Sequence, residues 1–524
     1  MTVMKEIKTY LRDNIKELIF GIYFLFTLTA DCISSVSGYN IWDDGFFITL
    51  VIIALLTLVS RIKKWINWSR QHFFLLHNQT SKKQELQVFA IASGITLAVL
   101  IFWFAGSYPG SFSPDSIDQY RQAVTGNYND WHPAWQTLLS FTLPLKLTGS
   151  PASIILFQIV WFSLFMGYFA LTVYLYSGIL YAYVASALIL FSPFTLEIVM
   201  FPWKDTSFAV ACGFCMLYAL HIYFTKGEWC NKTWRILLFA FMLTNATLLR
   251  HNGVLFTFFL LVALIFFIPR KKWYLLAATT LLMLVLIRIP FYSTLDVSKP
   301  GNRVVEISGL PLSIITYIAK VSPDKLDDET MQFVDKMMKL QPDWRDYHNL
   351  SGFNSVKFRG IDRKPIEQAG ILGIFKMTLR CFIASPGYTL KAVIGLTIPV
   401  YGLEIISRVY QGVAENDFGI VYTGNQMINY LEDLYCRLVT HTPLRFLFLS
   451  IGMTILVMFA FILFRTDFKS AADWKRLALC LPVFVYDFGT MLLLSGPDVR
   501  FFYVNLIISP LVVLIMGRNS ETNS

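Results

Sequence analysis

Residues 107–136 read SYPGSFSPDSIDQYRQAVTGNYNDWHPAWQ and form a polar, aromatic-rich island in a chain of long apolar runs. One such run, residues 88–106, precedes the island, and a series of others begins at residue 152. The island carries a carboxylate, Asp115, and an imidazole, His132, just outside an apolar run. An acid and a histidine in this position indicate a reaction site. The alternative interpretation is an ordinary loop between two helices.

The composition is that of an integral membrane protein. Of the 524 residues, 55% are hydrophobic and only 15% are charged, against about 25% charged residues in soluble domains. The net charge is +10, and the basic residues cluster between apolar runs, at 61–64, 82–83 and 270–272. This pattern is typical of cytoplasmic loops and argues against nucleic-acid binding. Seven scattered cysteines show neither a disulfide nor a zinc pattern.

We predict an all-α polytopic membrane protein with about 12 transmembrane helices, because a span needs about 20 apolar residues. The predicted spans are 15–34, 45–61, 88–106, 152–175, 178–199, 206–224, 235–250, 253–268, 273–291, 445–464, 477–495 and 501–517. The predicted parts are N-terminal spans (1–106), a first outer loop (107–151), a membrane core (152–291), an outer segment (292–444) and C-terminal spans (445–524). The N-terminal span lacks a cleavage site, so we predict a retained first span with a cytoplasmic basic tail. With 12 spans, both termini are then predicted to be cytoplasmic.

Two shorter apolar stretches test this topology. If residues 134–148 crossed the membrane, the later basic loops would face outward, so we predict a juxtamembrane helix on the outer surface. The same argument assigns residues 386–403 to the outer membrane surface. Within the outer segment, residues 324–340 predict an amphipathic helix. Its expected apolar face contains Val334, Met337, Met338 and Leu340.

Asp115 has two interpretations. Ser113 is a predicted N-cap and Pro114 suits the first helical position, so Asp115 falls in the first turn, where an acid complements the helix dipole. A loop that needed only a cap would not need a second polar cluster, NDWHP at 129–133. We therefore predict that Asp115 and His132 are catalytic.

Charged residues at predicted span ends supply the other half of the predicted site. Ionisable groups near the hydrocarbon boundary are costly, so their default interpretation is functional, and pairing or snorkelling is the alternative. Together they are predicted to bind an anionic phosphate at the headgroup level. The predicted substrate-binding residues are Lys204, Asp205, Arg250, His251, Asn252, Asp498, Arg500, Asp118, Gln119 and Trp131.

No cofactor is required by the sequence. The chain has no P-loop, no dinucleotide fingerprint and no HExxH motif. A divalent metal remains an option, and the oxygen and nitrogen ligands that would suit it are Asp115, Asp118, Asp130 and His132. No spacing among them requires a metal.

The chain resembles the GT-C superfamily of membrane glycosyltransferases, which use polyprenyl-phosphate sugars. The resemblance rests on SPDS (113–116), HPAWQTLL (132–139) and FSPFTLEIVMFPWKD (191–205). The chain is also similar to a group of Gram-positive multi-pass membrane proteins with PDS, HP, KD, RHNG and a late D-x-R element. The resemblance covers mainly residues 88–290. The chain has HPA where the superfamily has HPP and lacks a WWDYG-type motif, which argues against protein N-glycosylation.

The resemblance implies a glycosyltransferase of the cell membrane with its active site on the outer face. It implies two juxtamembrane helices in the first outer loop, with Asp115 as the base or metal ligand at the acceptor. Basic residues of the outer face would hold the lipid phosphate. The implied partners are a polyprenyl-phosphate-linked sugar, a glycan or lipid acceptor, and membrane lipids.

Two other functions are weighed against this one. A transporter or flippase of an anionic lipid-linked saccharide would need polar or broken helices at mid-membrane depth, whereas the charges here lie at span ends. A non-catalytic envelope scaffold is the third interpretation.

Overall fold

The computed structural model describes residues 14–34, 61–69, 71–74, 80–299, 301, 303–350, 352–404 and 406–518. Helices are the regular elements of these residues, and the predicted all-α class is confirmed for them. Extended pairing in this part of the chain is limited to two isolated bridges, Phe112 with Val413 and Asn129 with Ser298.

The main helices follow the apolar runs of the sequence. In chain order they are α1 (Ile15–Ser34), α2 (Lys82–Gly106), α3 (Pro114–Thr125), α4 (Ala134–Gln136, Thr137–Thr142 and Leu143–Thr148 in succession), α5 (Ala152–Ser177), α6 (Ile179–Leu190), α7 (Pro193–Ile198), α8 (Lys204–Phe224), α9 (Thr233–Leu248), α10 (Gly253–Leu264), α11 (Arg270–Thr294), α12 (Gly309–Val321), α13 (Asp328–Met337), α14 (Lys364–Ala384), α15 (Pro386–Thr397), α16 (Gln426–Thr440), α17 (Ile451–Arg465), α18 (Ala471–Met491) and α19 (Tyr503–Gly517).

The apolar helices indicate a membrane-embedded protein. Among the described residues, five helices are long and apolar enough to cross a membrane: α2, α5, α8, α11 and Val499–Gly517, which contains α19. The bent pair α14 and α15 makes a sixth if it is counted as one span. Of the other predicted spans, 15–34 coincides with α1 and 477–495 largely with α18, while α9, α10 and α17 are shorter apolar helices. Span 45–61 lies outside the described residues apart from its last residue. The count of about 12 spans stays a prediction.

The chain divides into two compact units. Unit 1 comprises residues 1–60, 300–405 and 487–501, and unit 2 comprises residues 61–299, 406–486 and 502–524. The predicted outer segment, 292–444, is therefore divided between them instead of forming one folded part. Its last residues join unit 2 because they make backbone contacts there.

Unit 2 is built around α8 and α19, the most buried of the membrane-length helices. These two helices pack against each other, while α5 and α9 flank α8 and α17 flanks α19. By contrast, α2 and α11 expose most of their apolar side chains, as helices that face lipid do.

One predicted span of unit 2 is broken. Residues 178–199 form two helices, α6 and α7, because Pro193 occupies the first turn of α7 and has no amide to continue α6. The break brings α7 beside α16, which the sequence did not predict.

A strap of extended chain, residues 406–425, joins unit 2. The Phe112 amide donates to the Gly412 carbonyl (2.9 Å), and the Ala414 amide donates to the Phe112 carbonyl (2.7 Å). Further along, the Asn425 amide donates to the Ala105 carbonyl (2.8 Å). The strap therefore holds the chain between the end of α2 and the start of α3.

Unit 1 has its own apolar core between α12, α13 and α14. Val334, Met337 and Met338 are buried in it, as predicted for the 324–340 stretch. The prediction for Leu340 was wrong, since this side chain is 64% exposed. Helix α13 ends at Met337, so Leu340 no longer follows the helical spacing that placed it on the same face.

Candidate active site

Asp115 lies in the first turn of α3 with its side chain 47% exposed. Ser113 is the N-cap, and its hydroxyl oxygen accepts a hydrogen bond from the Ser116 amide (3.3 Å), so the predicted cap is confirmed. Because Ser113 performs the capping, the helix start does not by itself account for Asp115. The carboxylate is open to a substrate.

His132 lies between Asp115 and Lys204. Its Nε2 is 3.7 Å from Asp115 Oδ1, and its Nδ1 is 3.4 Å from Lys204 Nζ. A lysine ammonium only donates hydrogen bonds, so Nδ1 is the accepting nitrogen and the proton of a neutral imidazole is on Nε2, facing Asp115. Asp115 and His132 of the first loop thus form one row of polar groups with Lys204, which lies 72 residues beyond His132.

The start of α8 is fixed against the start of α3. The Trp203 indole N–H donates to the Ser113 hydroxyl oxygen (2.8 Å), and the Trp203 ring stacks on Phe201 with centroids 4.1 Å apart. Trp203 immediately precedes Lys204, so these contacts set the position of the lysine. Trp203 was not predicted as a site residue, although an aromatic residue before a span end is a visible signal.

Gln119 does not face solvent. It is 2% exposed, and its amide nitrogen donates to Thr137 Oγ1 (2.9 Å) and to the Gln136 side-chain oxygen. Gln136 in turn donates to the Pro202 carbonyl (3.1 Å). Gln119 lies one turn beyond Asp115, on the side of α3 that packs against α4. It therefore links α3 to α4, which differs from the predicted substrate contact.

The other polar residues of the island also hold the local fold. Asp118 Oδ2 accepts a hydrogen bond from Gln122 Nε2 (2.8 Å), within α3. Asp130 Oδ1 accepts one from the Ala134 amide (3.1 Å) at the start of α4. Trp131 is half-buried, and its carbonyl lies 3.3 Å from His251 Nε2.

The described residues contain no group of three or more His, Cys, Asp or Glu side chains that could hold a metal ion. The four residues considered above as metal ligands are not gathered: Asp115 and His132 face each other, while Asp118 and Asp130 have the local contacts just given. The site, as far as the structure describes it, offers no metal-binding cluster.

Arg250 forms a buried ion pair with Asp205. The side chains are 8% and 2% exposed, and Arg250 Nε also donates to Asn252 Oδ1 (2.8 Å). The two partners come from the α9–α10 junction and the first turn of α8. Gly253 makes this junction tight, since an added Cβ would lie 2.0 Å from the Ala246 carbonyl oxygen.

Asp498 and Arg500 belong to unit 1. Arg500 Nε lies 2.6 Å from Asp498 Oδ2, and the Arg500 amide donates to Asp498 Oδ1 (3.1 Å). The predicted approach of Arg500 to Lys204 and Arg250 stays a prediction.

The structure also places two buried glutamates, Glu197 and Glu432, that were not predicted from the sequence. Glu197 accepts hydrogen bonds from Arg408 Nε (2.7 Å) and from the Val409 amide (2.7 Å), which ties the strap to α7. Glu432 on α16 packs against Gly106, where an added Cβ would lie 2.4 Å from Oε1. A glutamate inside the apolar stretch 191–205 was the available signal for Glu197.

The surroundings of Glu432 favour the protonated form of its carboxyl group. This residue is 4% exposed, and burial together with the charge of Glu197 raises the pKa of its carboxyl from 4.5 to about 8. A buried carboxyl without an opposite charge favours its neutral form. We therefore expect Glu432 to be largely protonated at neutral pH.

The row Asp115, His132 and Lys204 can accept a proton at an exposed carboxylate and place one positive charge near it.

Comparisons with models of protein families, with curated proteins and with solved structures gave no match to this chain.

Proposed function

We propose that the protein is a membrane glycosyltransferase that moves a sugar from a polyprenyl phosphate to a cell-envelope acceptor on the outer face. The single observation that carries the proposal is the row Asp115, His132 and Lys204 beside the ends of apolar helices. It combines an exposed carboxylate with a fixed cation, which are the two groups that such a transfer needs.

The proposed reaction is a direct displacement at the anomeric carbon. The acceptor hydroxyl oxygen forms a bond to this carbon and gives its proton to Asp115, while the bond from the carbon to the phosphate oxygen breaks. The leaving polyprenyl phosphate takes the electron pair. A carboxylate is a weak base, so proton transfer to Asp115 is late and concerted with leaving-group departure.

His132 has a positioning role in this scheme. With its proton on Nε2, the imidazole faces the Asp115 carboxylate as a donor and does not compete for the acceptor proton. The burial of His132 limits the rotation of its ring.

Lys204 is the cation that contacts His132, the neighbour of the Asp115 carboxylate. Its ammonium can stabilise the negative charge that develops on the leaving phosphate. Arg250 is already engaged with Asp205 and Asn252, so we assign it mainly to holding the α8 and α10 starts together. A direct phosphate contact from Arg250 is the secondary part of the proposal.

The first prediction concerns Asp115→Asn. We expect this change to abolish transfer, because the amide cannot accept the acceptor proton, while the protein stays in the membrane at its normal level. The measurement is the mass of the envelope glycans from cells that carry the wild-type or the variant chain; the variant glycan should lack one sugar residue.

The matched control is Asp433→Asn. The Asp433 side chain is 49% exposed and pairs with Arg437 on the same helix, so its exposure matches that of Asp115 without a link to the row. Glycans of full mass with Asp115→Asn would refute the assignment. Movement of a lipid-linked sugar across vesicles containing the purified chain, with the sugar linkage intact, would favour a flippase.

A further inference from the structure

One helix of unit 1 is apolar on two opposite faces. One face of α14 contributes Ile366, Ile374, Met377 and Cys381 to the core. The other face is solvent-accessible. Its apolar side chains are Ile371 (50% exposed), Leu372 (84%), Phe375 (61%), Leu379 (49%), Phe382 (54%) and Ile383 (72%). These positions recur at helical spacing, so they form one continuous stripe, which we call the α14 stripe. Soluble surfaces rarely expose such a patch.

Each arm of the helical hairpin that carries the stripe is too short to cross a membrane by itself. Gly370 has non-helical backbone angles, so the straight part of α14 begins at residue 371 and is about 21 Å long at ~1.5 Å per residue. The α15 arm is about 18 Å long by the same rule. The two helices are bent by 120°. A hydrocarbon core of about 30 Å cannot be crossed by either arm alone.

The second arm packs beside the end of a predicted span. Ala30 of α1 is buried against Ile394 and Ile398, at the end of α15. The Leu403 amide donates to Asp31 Oδ2 (2.8 Å), again on the last turns of α1. The hairpin therefore lies beside the last turns of α1, a predicted span whose end is expected at the membrane surface.

The distribution of charged residues near the hairpin favours contact with a membrane leaflet over contact with a protein partner. Residues 381–390 read CFIASPGYTL and carry no charge. Lys376 and Lys391 are exposed on either side of this apex, where long basic side chains reach the headgroups of anionic lipids. Arg380 instead pairs with Asp327 (3.2 Å) and Glu329 (2.6 Å), away from the stripe.

We propose that α14 and α15 form a re-entrant lipid anchor, in which the α14 stripe and the apex enter one leaflet and Lys376 and Lys391 contact its anionic headgroups. The occupant of the stripe is phospholipid. This anchor is independent of the proposed transfer reaction and holds unit 1 at the membrane surface through the hydrocarbon burial of six large side chains.

Photocrosslinking tests whether phospholipid contacts the α14 stripe. The full chain carries p-benzoylphenylalanine in place of Phe375 or Phe382 and is reconstituted in vesicles of phosphatidylcholine and phosphatidylglycerol. The matched control is the same replacement at Phe358, which is 76% exposed in the same unit beside Lys357. After irradiation, mass spectrometry should find phospholipid adducts at positions 375 and 382 and few at 358. Adducts to protein alone at 375 and 382, or equal lipid yields at all three positions, would overturn the proposal.

A second experiment tests re-entry against crossing. Arg363→Cys and Glu404→Cys place thiols at the two exposed ends of the hairpin. A membrane-impermeant maleimide added to sealed cells should label both positions or neither, with the parent chain as the background for native cysteines. Labelling of only one position would mean that the hairpin crosses, and the anchor would be refuted even if lipid adducts form.

Discussion

At the scale of single residues, the buried ion pair of Asp205 and Arg250 indicates that charged residues at span ends have a structural role. Removing one partner of a buried ion pair leaves an uncompensated charge, which costs about 3–5 kcal/mol. We predict that Asp205→Ala lowers the free energy of unfolding by about this amount, measured by denaturant titration in detergent. The control Asp433→Ala removes an exposed pair and should change the free energy by less than about 1 kcal/mol. Equal effects of the two changes would contradict the structural role.

Glu432 gives a second prediction at the residue scale, for stability against pH. Its native pKa of about 8 exceeds the ordinary value of 4.5, so the native state binds this proton more tightly than the unfolded state. The contribution is fully present below about pH 4.5 and is lost as the pH rises through about 8. We predict that the melting temperature of the wild type falls over this range more than that of Glu432→Gln. Parallel pH curves for the two proteins would refute the assignment.

At the scale of elements, the strap contains a glycine, Gly424, whose backbone lies very close to the backbone of Gly106. An added Cβ on Gly424 would lie 1.7 Å from the Gly106 carbonyl oxygen, whereas one on Gly412 meets nothing within 4 Å. We predict that Gly424→Ala destabilises the protein by about 1–3 kcal/mol, because backbone must move to relieve the overlap. Thermal unfolding in detergent measures this.

Gly412→Ala in the same strap is the control and should be close to neutral. Because the strap holds the chain just before α3, Gly424→Ala should also reduce sugar transfer if the proposed function holds. Equal stability of the two glycine variants would show that the strap does not rely on the close contact between Gly424 and Gly106.

At the scale of the whole molecule, the positive-inside pattern predicts which side each loop of unit 2 faces. Asn127 in the first loop and Lys271 at the start of α11 are both exposed. We predict that Asn127→Cys is labelled by an impermeant maleimide in intact cells, and that Lys271→Cys is labelled only after the membrane is opened. The native cysteines give little background, since six are buried and Cys32 is half-buried. The reverse labelling would invert the predicted topology and place Asp115 inside.

The sequence by itself determined the membrane-embedded, all-α class and the positions of most helices. Long apolar runs leave the backbone few options, because each peptide group must be satisfied within its own helix. It also determined the cap at Ser113 and the presence of Asp115 and His132 in one loop, since both depend on local spacing.

Only the tertiary structure decided the partners of the charged residues. Neighbours in sequence, such as Lys204 and Asp205, point in different directions from a helix, so adjacency could not show that Lys204 faces His132 while Asp205 pairs with Arg250. The same holds for Gln119, which packs inward. The row beside Asp115 therefore depends on how α3, α4 and α8 pack, a property of long-range contacts that no single stretch of sequence contains.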